Sequence, residues 1–424
     1  MPSFAIMTLG CKVNGFESAS YTESLIKKGY QQVEFNMIAD VYIINTCSVT
    51  NVASSKSRKM IARAKRLNPL AFICVVGCYV QSYLEEVKLL DGIDLLVGSV
   101  GKKELVNLID ENYHKEIKEP IIINNKVSVF EDLTIEKFNQ TRAYLKIQDG
   151  CNQFCSYCII PIARGKERSL PLTSAIDQAR ILADNHLEIV LAGIHSGRYG
   201  LDIGTNLLTL LKELCKIDKL KRIRISSIEI TELDKELIAF IKDNPKIGKN
   251  LHIPLQSGSN EILRIMNRPY TFKAFLDNLN YLRSELVDFN ISSDIIVGFP
   301  SESEELWQES LRNIQECDFS FLHVFPYSAR SFTKAEQLIS KNTASEKKQR
   351  VKTLIAYSDV QLNKYLQKFL NKKVEIIVEK NQDGFSFGHT MEYLPANVMG
   401  DYPQNTILSA EVYDIIDNIL QVRV

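Results

Sequence analysis

Residues 142–158 read Arg-Ala-Tyr-Leu-Lys-Ile-Gln-Asp-Gly-Cys-Asn-Gln-Phe-Cys-Ser-Tyr-Cys. The first part is typical of a β-strand, and Cys151, Cys155 and Cys158 follow it with CxxxCxxC spacing. Three such thiols can hold a four-iron cluster and leave one iron open to another ligand. Structural zinc is the alternative, but zinc of that kind needs four protein ligands, and no fourth ligand lies nearby in the sequence. The stretch therefore predicts an iron–sulfur loop directly after a strand.

The composition is that of an ordinary globular protein. The chain has 424 residues, 45% hydrophobic and 24% charged, so two or three domains are expected. Equal numbers of basic and acidic residues, 51 of each, leave only local patches for binding nucleic acid. No stretch is long and apolar enough to span a bilayer. Nine cysteines without an export signal indicate a reducing compartment, so we expect a cytoplasmic protein with no membrane segment.

Regions of different patterning predict the domain organisation. Residues 1–113 alternate strand-like and helical stretches, which is typical of a small parallel α/β domain. Residues 114–139 form a connection, with an edge strand expected within 121–129. Residues 140–368 contain six strand–helix units, and residues 369–424 show short β patterning with glycine turns. The predicted fold is therefore α/β: a parallel N-terminal domain, a partial (β/α)6 barrel with its chemistry at the carboxyl ends of the strands, and a small C-terminal β-barrel.

A second set of cysteines follows the first three strands of the N-terminal region. Its members are Cys11, Cys47 and Cys78. Loops that leave neighbouring parallel strands converge on one crevice, so these thiols are expected to meet in space. Free cysteines are often merely small buried hydrophobic residues, but three at equivalent strand ends favour a site. Cys74, inside the third strand, is expected to lie in the core, and Cys215 and Cys317, at helix ends, are expected to be structural.

Several motifs resemble those of one enzyme family. CxxxCxxC after a strand resembles the signature of radical S-adenosylmethionine (SAM) enzymes. The N-terminal segments Leu9-Gly-Cys-Lys-Val-Asn14, Asn45-Thr-Cys47 and Gly77-Cys78 are similar to those of the methylthiotransferases within that superfamily. The resemblance continues through the barrel, for example at His252–Ser259, Asp294–Pro300 and His323–Ser328.

The resemblance implies two metal centres with different roles. In that family the CxxxCxxC cysteines hold a [4Fe-4S] cluster whose open iron chelates SAM, and an electron from the cluster cleaves SAM to a 5′-deoxyadenosyl radical. The three N-terminal cysteines hold an auxiliary [4Fe-4S] cluster that carries the sulfur to be inserted. A reductant protein such as a flavodoxin or ferredoxin is the implied source of electrons.

Three segments resemble the MtaB type of this family. They are Leu9–Asn14, Ala192–Gly197 and Ile225–Glu229. That type methylthiolates carbon 2 of N6-threonylcarbamoyladenosine at position 37 of tRNA, beside the anticodon, using two SAM molecules; a radical is needed because this aromatic C–H bond resists ionic substitution. The alternatives are a methylthiotransferase acting on isopentenyladenosine tRNA or on a ribosomal protein, and more remotely a non-catalytic metal- and RNA-binding protein.

Residues around the cysteine loop are candidates for binding SAM. Tyr157 resembles the aromatic residue that packs near the adenine of SAM, with simple loop packing as the alternative. Ser226, Glu229 and Gln256 lie at the expected rim of the site and are predicted to bind the ribose or the amino acid part of SAM. Asp294, entering the fifth barrel strand, is expected to satisfy a buried backbone turn instead.

Two basic clusters are candidates for contact with the tRNA anticodon loop. The first shares one helix face at i, i+3, i+7 and i+10, and consists of Lys56, Lys59, Arg63 and Arg66. Such a face fits phosphate binding or simple solvation. The second follows the cysteine loop and is expected to reach the anticodon backbone or the threonyl carboxylate; it consists of Arg164, Lys166 and Arg168.

The C-terminal region is similar to the TRAM domain, an RNA-binding module of this family. Its balance of charges is acidic, which is unusual for a nucleic-acid module. Two roles are therefore considered: recognition of RNA shape through Phe385, Phe387 and Tyr393, or packing on the larger barrel.

Overall fold

A parallel sheet of six strands forms the N-terminal domain in the computed structural model, which describes residues 1–340 and 342–424. In the spatial order β2-β1-β3-β4-β5-β6, its strands are β1 (Ser3–Thr8), β2 (Gln31–Gln32), β3 (Val41–Thr46), β4 (Phe72–Gly77), β5 (Leu95–Val97) and β6 (Ile121–Ile123). The helices are α1 (Lys12–Lys27), α2 (Asn51–Leu67), α3 (Cys78–Ser82), α4 (Leu84–Lys88) and α5 (Leu105–Asn112). Strands β3 and β4 are buried at every position because helices cover both faces of the sheet. The edge strand expected within 121–129 is present as β6.

The second region is the predicted partial barrel. Its six main strands are β7 (Arg142–Lys146), β10 (Glu188–Ala192), β11 (Arg222–Ile225), β12 (Asn250–His252), β13 (Asn290–Val297) and β14 (Phe321–Pro326). Two short strands, β8 (Gln148–Asp149) and β9 (Arg168–Ser169), form an antiparallel pair between β7 and β10 in the sequence. Its helices are α6 (Ile160–Ala163), α7 (Leu172–Ala183), α8 (Leu207–Leu214), α9 (Lys235–Asp243), α10 (Asn260–Ile265), α11 (Phe272–Glu285), α12 (Glu304–Glu316) and α13 (Ala344–Gln367). The six main strands pair in parallel as β7-β10-β11 and β12-β13-β14, and isolated bridges at Ile223–Ile247 and Ser227–His252 join the two halves.

Along the barrel strands, side chains point alternately to the surrounding helices and to the interior of the barrel, here called the lumen. In β13 every second residue is buried against the surrounding helices, whereas Asn290, Ser292, Asp294 and Ile296 are only partly buried and face the lumen. Polar side chains therefore line the inside of the barrel. Among the described residues, no helix has the length and apolar character needed to cross a membrane.

A closed five-stranded barrel ends the chain and packs under the partial barrel. Its strands, in the order β15-β16-β17-β19-β18, are β15 (Lys373–Gln382), β16 (Phe385–Thr390), β17 (Pro395–Met399), β18 (Ile407–Ile416) and β19 (Ile419–Arg423). The β16–β17 turn contacts the amino-terminal ends of the larger barrel's strands, where Arg224 donates hydrogen bonds to the carbonyls of Thr390 and Met391. The guanidiniums of Arg142 and Arg224 lie 4.9 and 4.8 Å from the ring centre of Tyr393. Tyr393 therefore serves packing on the barrel.

Substituting Glu188 tests this interface. Its fully buried carboxylate lies 2.8 Å from Arg224 and 3.3 Å from Arg222. Burial opposes its ionisation, but the two arginines outweigh burial and lower the pKa of Glu188. We expect Glu188→Gln to reduce the free energy of unfolding, measured by urea denaturation at pH 7, by about 3–5 kcal/mol, because two buried guanidiniums lose their charge partner.

Glu375→Gln is the matched control, because Glu375 also pairs with Arg222, at 2.8 Å, but its side chain is 50% exposed. Its substitution should cost less than about 1 kcal/mol. Folding lowers the pKa of Glu188, so its ion pairs contribute to the free energy of unfolding at any pH above the pKa of a glutamate in the unfolded chain. This contribution disappears as the pH falls through the pKa of Glu188 in the folded protein. Equal losses in the two variants at pH 7 would contradict this account.

Candidate active site

The three N-terminal cysteines lie at the carboxyl ends of adjacent strands. Cys11 follows β1 and precedes α1, Cys47 follows β3, and Cys78 begins α3 directly after β4. Gly10 permits the close approach of two of these loops, since a Cβ added there would lie 2.8 Å from the Cβ of Cys47, and its φ of +104° also favours glycine. Burial and the neighbouring Cys78 thiol raise the pKa of Cys47 to about 12. The structure thus brings the three thiols into one crevice.

The CxxxCxxC loop leaves the carboxyl end of the first barrel strand, and two cationic side chains flank its thiols. The Nδ1 atom of His195 lies 3.4 Å from the Sγ atom of Cys151, and the Nη1 of Arg268 donates to the Sγ of Cys155 over 3.5 Å. Burial opposes protonation of His195, but Cys151 and Glu232 outweigh burial and raise its pKa to about 10. Cys151 and Cys155 therefore each have a positively charged neighbour that can stabilise a thiolate.

The two donor sets consist of three cysteine thiols each. In the described part of the chain, no three His, Cys, Asp or Glu side chains converge closely enough to hold a single metal ion. Each set supplies three thiols and leaves a position open, as a four-iron cluster with an exchangeable ligand requires. At the N-terminal set, the buried Nε–H of Arg164 has no partner among the residues that the structure describes. Burial raises the pKa of Cys78, and the nearby guanidinium of Arg164 acts in the opposite direction. An anionic group between these thiols would therefore accept the hydrogen bond that the Nε–H of Arg164 lacks.

A cavity of about 250 Å³ extends from the cysteine loop towards the N-terminal domain. Tyr157, Cys158, Gln256 and Asp294 line it from the barrel side, and Thr50 lines it from the other. Tyr157 also packs against the small apolar cluster around the cavity, so its two predicted roles are compatible. Gln256 has a φ of +70°, an uncommon backbone conformation at a functional position.

The remaining residues that were predicted to bind SAM differ in whether their polar groups already have partners in the protein. The buried hydroxyl of Ser226 has no hydrogen-bond partner in the described chain, which fits a ligand contact. Glu229 is instead paired with Arg268, the residue that contacts Cys155, so its carboxylate helps to position the cysteine loop. The expectation for Asp294 was wrong: its side chain faces the lumen and lies 3.1 Å from the Nε2 atom of His252.

A buried network of charges joins the N-terminal domain to the barrel. Glu17 on α1 contacts Lys102 at 2.8 Å, Lys146 at 3.1 Å and Arg164 at 3.3 Å. Asp149 contacts Lys146 at 2.9 Å and Arg164 at 3.0 Å. Each of these side chains is at most 4% exposed, and the two carboxylates need these cations because an unpaired buried charge is very costly. The network therefore fixes the two domains, and with them the two cysteine sets.

Two members of the second basic cluster cannot contact RNA, and this part of the prediction was wrong. Arg164 is fully buried and donates to the Oδ1 of Asn14 over 2.6 Å. Arg168 is 8% exposed, lies 3.2 Å from Asp149 and donates to the carbonyl of Arg164. The buried carboxylates recruit both arginines into the interior. Only Lys166 of this cluster is exposed.

The first basic cluster has the predicted arrangement. Its four members are all exposed, and none of them forms an ion pair with any described residue; they are Lys56, Lys59, Arg63 and Arg66. Helix α2 starts next to Thr50, which lines the cavity, and Arg330 fixes this end by donating to the Oγ of Ser54 over 3.1 Å. An unpaired positive face therefore extends from the mouth of the cavity.

The sequence reasoning missed His195, Arg268 and the lumen residues His252 and His323. His195 follows strand β10, and the rule that chemistry lies at the carboxyl ends of barrel strands could have identified it. The two lumen histidines alternate with buried residues in their strands. No sequence pattern could have identified Arg268, because it follows α10 and is far from Cys155 in the sequence.

Comparison with known proteins gave consistent matches. The chain matches the description "Uncharacterized protein family UPF0004" over residues 3–98 and the radical SAM superfamily over residues 145–314. A threonylcarbamoyladenosine tRNA methylthiotransferase MtaB of Bacillus subtilis (strain 168) is 43% identical over 406 residues, covering 93% of this chain and 90% of the relative. A tRNA-2-methylthio-N(6)-dimethylallyladenosine synthase of Thermodesulfovibrio yellowstonii is 32% identical, covering 96% and 95%. The radical SAM methyltransferase TsrM of Kitasatospora setae has a similar fold, with a TM-score of 0.58, 14% identity, and coverage of 79% of this chain and 76% of that one.

Alkylation kinetics should separate the cysteines of the site from those of the core. In metal-free protein at pH 8, iodoacetamide should modify the exposed Cys11 first and Cys47 slowly, since only the thiolate reacts and the pKa of Cys47 is raised to about 12. Cys74 and Cys317, both buried, should react only after denaturation. Peptide mass spectrometry gives the order, and labelling of Cys74 in the folded protein as fast as Cys11 would contradict the structure.

Proposed function

We infer the reaction from the family to which the chain belongs, the radical SAM tRNA methylthiotransferases. We propose that it converts N6-threonylcarbamoyladenosine at position 37 of tRNA to its 2-methylthio derivative. The observation that carries the reaction type is the presence of two three-thiol sets, one in each domain, held together by a buried charge network. The higher identity to the threonylcarbamoyladenosine relative, 43% against 32%, favours this substrate over dimethylallyladenosine.

The chain's own residues divide this work between the two domains. Cys151, Cys155 and Cys158 would hold one [4Fe-4S] cluster with SAM at its open iron, and the three N-terminal cysteines would hold a second. When bound, the first cluster and SAM supply a radical that can activate an aromatic C–H bond, and the second cluster supplies the sulfur. The hydroxyl of Ser226, which has no partner in the described chain, and the side chain of Gln256, which lines the cavity, would orient SAM.

The proposal includes partners that supply the electron and the substrate. A reductant protein such as a flavodoxin or ferredoxin would deliver the electron, and two SAM molecules would be used in each turnover. The tRNA would lie with its anticodon loop over the cavity and its phosphates along the exposed cationic face of α2. We expect these steps to take place in the cytoplasm.

The proposed activity can be tested directly. Protein reconstituted anaerobically with iron and sulfide is incubated with SAM, dithionite and tRNA that contains threonylcarbamoyladenosine, and the nucleosides are analysed by mass spectrometry. A product with one SCH3 group in place of hydrogen supports the proposal. Product formation only with isopentenyladenosine tRNA, or only with a ribosomal protein, would assign the substrate to one of the alternatives.

Substituting cysteines should separate the two centres. Cys155→Ala should abolish cleavage of SAM to 5′-deoxyadenosine, and Cys47→Ala should abolish methylthio transfer, because each change removes one thiolate from a set of three. Each variant should also lose about half of the bound iron, measured by colorimetric assay. Cys215→Ala, at the end of α8, is the control and should retain iron and activity. Full iron content in Cys47→Ala would contradict a second cluster.

The α2 face should contribute to tRNA affinity. Replacing Lys59 and Arg63 together by alanine should weaken binding and reduce the slope of log K against log salt by about 0.9 per lost phosphate contact. Fluorescence anisotropy with labelled tRNA at several salt concentrations measures both effects. Lys212→Ala removes an exposed lysine from α8 on the outside of the barrel and is the control. An unchanged slope in the double variant would show that this face is only solvated.

A further inference from the structure

Lys12 has a position that the reaction scheme does not explain. It is the first residue of α1, directly after Cys11, and it lines a cleft of about 730 Å³ that runs along α1. It also lines a small space of about 30 Å³ in the lumen, bounded by Arg142, Arg224 and Tyr393. The side chain is accessible to solvent even though protein surrounds it. Lys12 thus extends from the N-terminal cysteine set into the interior of the barrel.

The neighbouring cations of the lumen have partners, whereas Lys12 has none. Arg224 donates to Glu188, Asn250 and two backbone carbonyls, and Arg142 contacts Glu379 at 3.3 Å. Within residues 1–340 and 342–424, Lys12 forms no ion pair and no side-chain hydrogen bond. Lys12 shares the small lumen space with the guanidiniums of Arg142 and Arg224. The positive potential at this point is therefore uncompensated, and an anion bound there would be stabilised.

Lys12 also lies between the two parts of the site. The lumen space that Lys12 lines is also bounded by Asn250, which begins strand β12 and lies two residues before His252. His252 contacts Asp294, which lines the cavity behind the CxxxCxxC loop. Lys12 therefore lies between Cys11, its neighbour in the sequence, and the lumen residues next to the cavity of the CxxxCxxC loop.

The chemistry of the proposed substrate supplies a suitable anion. In adenine, N6 and C2 flank the same ring nitrogen, so the N6 substituent lies beside the C2 hydrogen that is replaced. Cys11 would help to hold the cluster that supplies the sulfur, so the C2 edge of the base, and the N6 substituent beside it, would lie close to residue 12. The threonylcarbamoyl group ends in a carboxylate, whereas an isopentenyl group is uncharged and would gain nothing from an ammonium group.

We propose that Lys12 binds the carboxylate of the N6-threonylcarbamoyl group and sets the preference for an acidic over an uncharged N6 substituent. This inference rests on the proposed function. Lys12 is a specificity residue, since its contact lies outside the bonds that form and break. A single charged contact of this kind should account for about a 10- to 100-fold preference.

The test compares binding of two anticodon stem-loops by the reconstituted protein in the absence of SAM. One contains threonylcarbamoyladenosine at position 37 and the other unmodified adenosine. Wild type should bind the modified stem-loop about 10- to 100-fold more tightly. Lys12→Gln should bring the ratio of the two Kd values close to one, and Lys12→Arg should restore most of the preference because the charge is kept. Lys212→Gln, which changes an exposed lysine on α8, should keep the wild-type ratio.

The results distinguish failure of the inference about Lys12 from failure of the proposed function. A wild-type ratio in Lys12→Gln overturns the inference while wild type still methylthiolates threonylcarbamoyladenosine. Loss of bound iron in Lys12→Gln also overturns it, because the lysine would then support the Cys11 site. No methylthiolation of threonylcarbamoyladenosine tRNA by wild type, together with activity on another substrate, overturns both proposals.

Discussion

The buried contact between Glu17, Asp149 and Arg164 is the constraint on which the relation of the two domains depends. Three elements from different parts of the sequence supply these charges, and each charge would be prohibitively costly alone in the interior. The group is stable only when α1 and the first barrel strand lie in one relative position. Apolar packing tolerates small shifts, but paired charges with hydrogen bonds do not. The contact therefore holds the two sets of cysteine thiols at a fixed separation.

The same principle explains the acidic C-terminal barrel. Two of its carboxylates, Glu375 and Glu379, contact Arg222 and Arg142 at the base of the larger barrel, and Glu379 also lies 2.8 Å from His389. Arg222 and Arg224 also donate to backbone carbonyls of the small barrel, so the same arginines hold both its backbone and its carboxylates. Part of the acidic balance that argues against RNA binding is therefore used for docking. The exposed surface of this small barrel is correspondingly less acidic than its sequence suggests.

Much of the fold and the six cysteines of the site could be predicted because they follow from local rules. Strand periodicity gave the six barrel strands, and the position of loops at strand ends placed Cys11, Cys47 and Cys78 together. The failures have a common physical origin, since sequence shows that a residue is charged but not whether it is buried. Arg164 and Arg168 follow a cysteine loop and resemble surface residues, yet carboxylates distant in sequence bring them inside. Arg268 was missed for the same reason, because its contact with Cys155 is purely tertiary.

The positive charges of the N-terminal domain differ in what surrounds them, and this difference separates affinity from selectivity. The α2 face is solvated, so its attraction for phosphate is long-ranged, screened by salt and the same for every tRNA. Lys12 is also accessible to solvent, but it lines a small lumen space bounded by Arg142, Arg224 and Tyr393, so its charge acts over a short distance on a group that enters there. Under the two proposals made above, one group of cations holds the RNA and another discriminates among base modifications, although the net charge of the chain is zero.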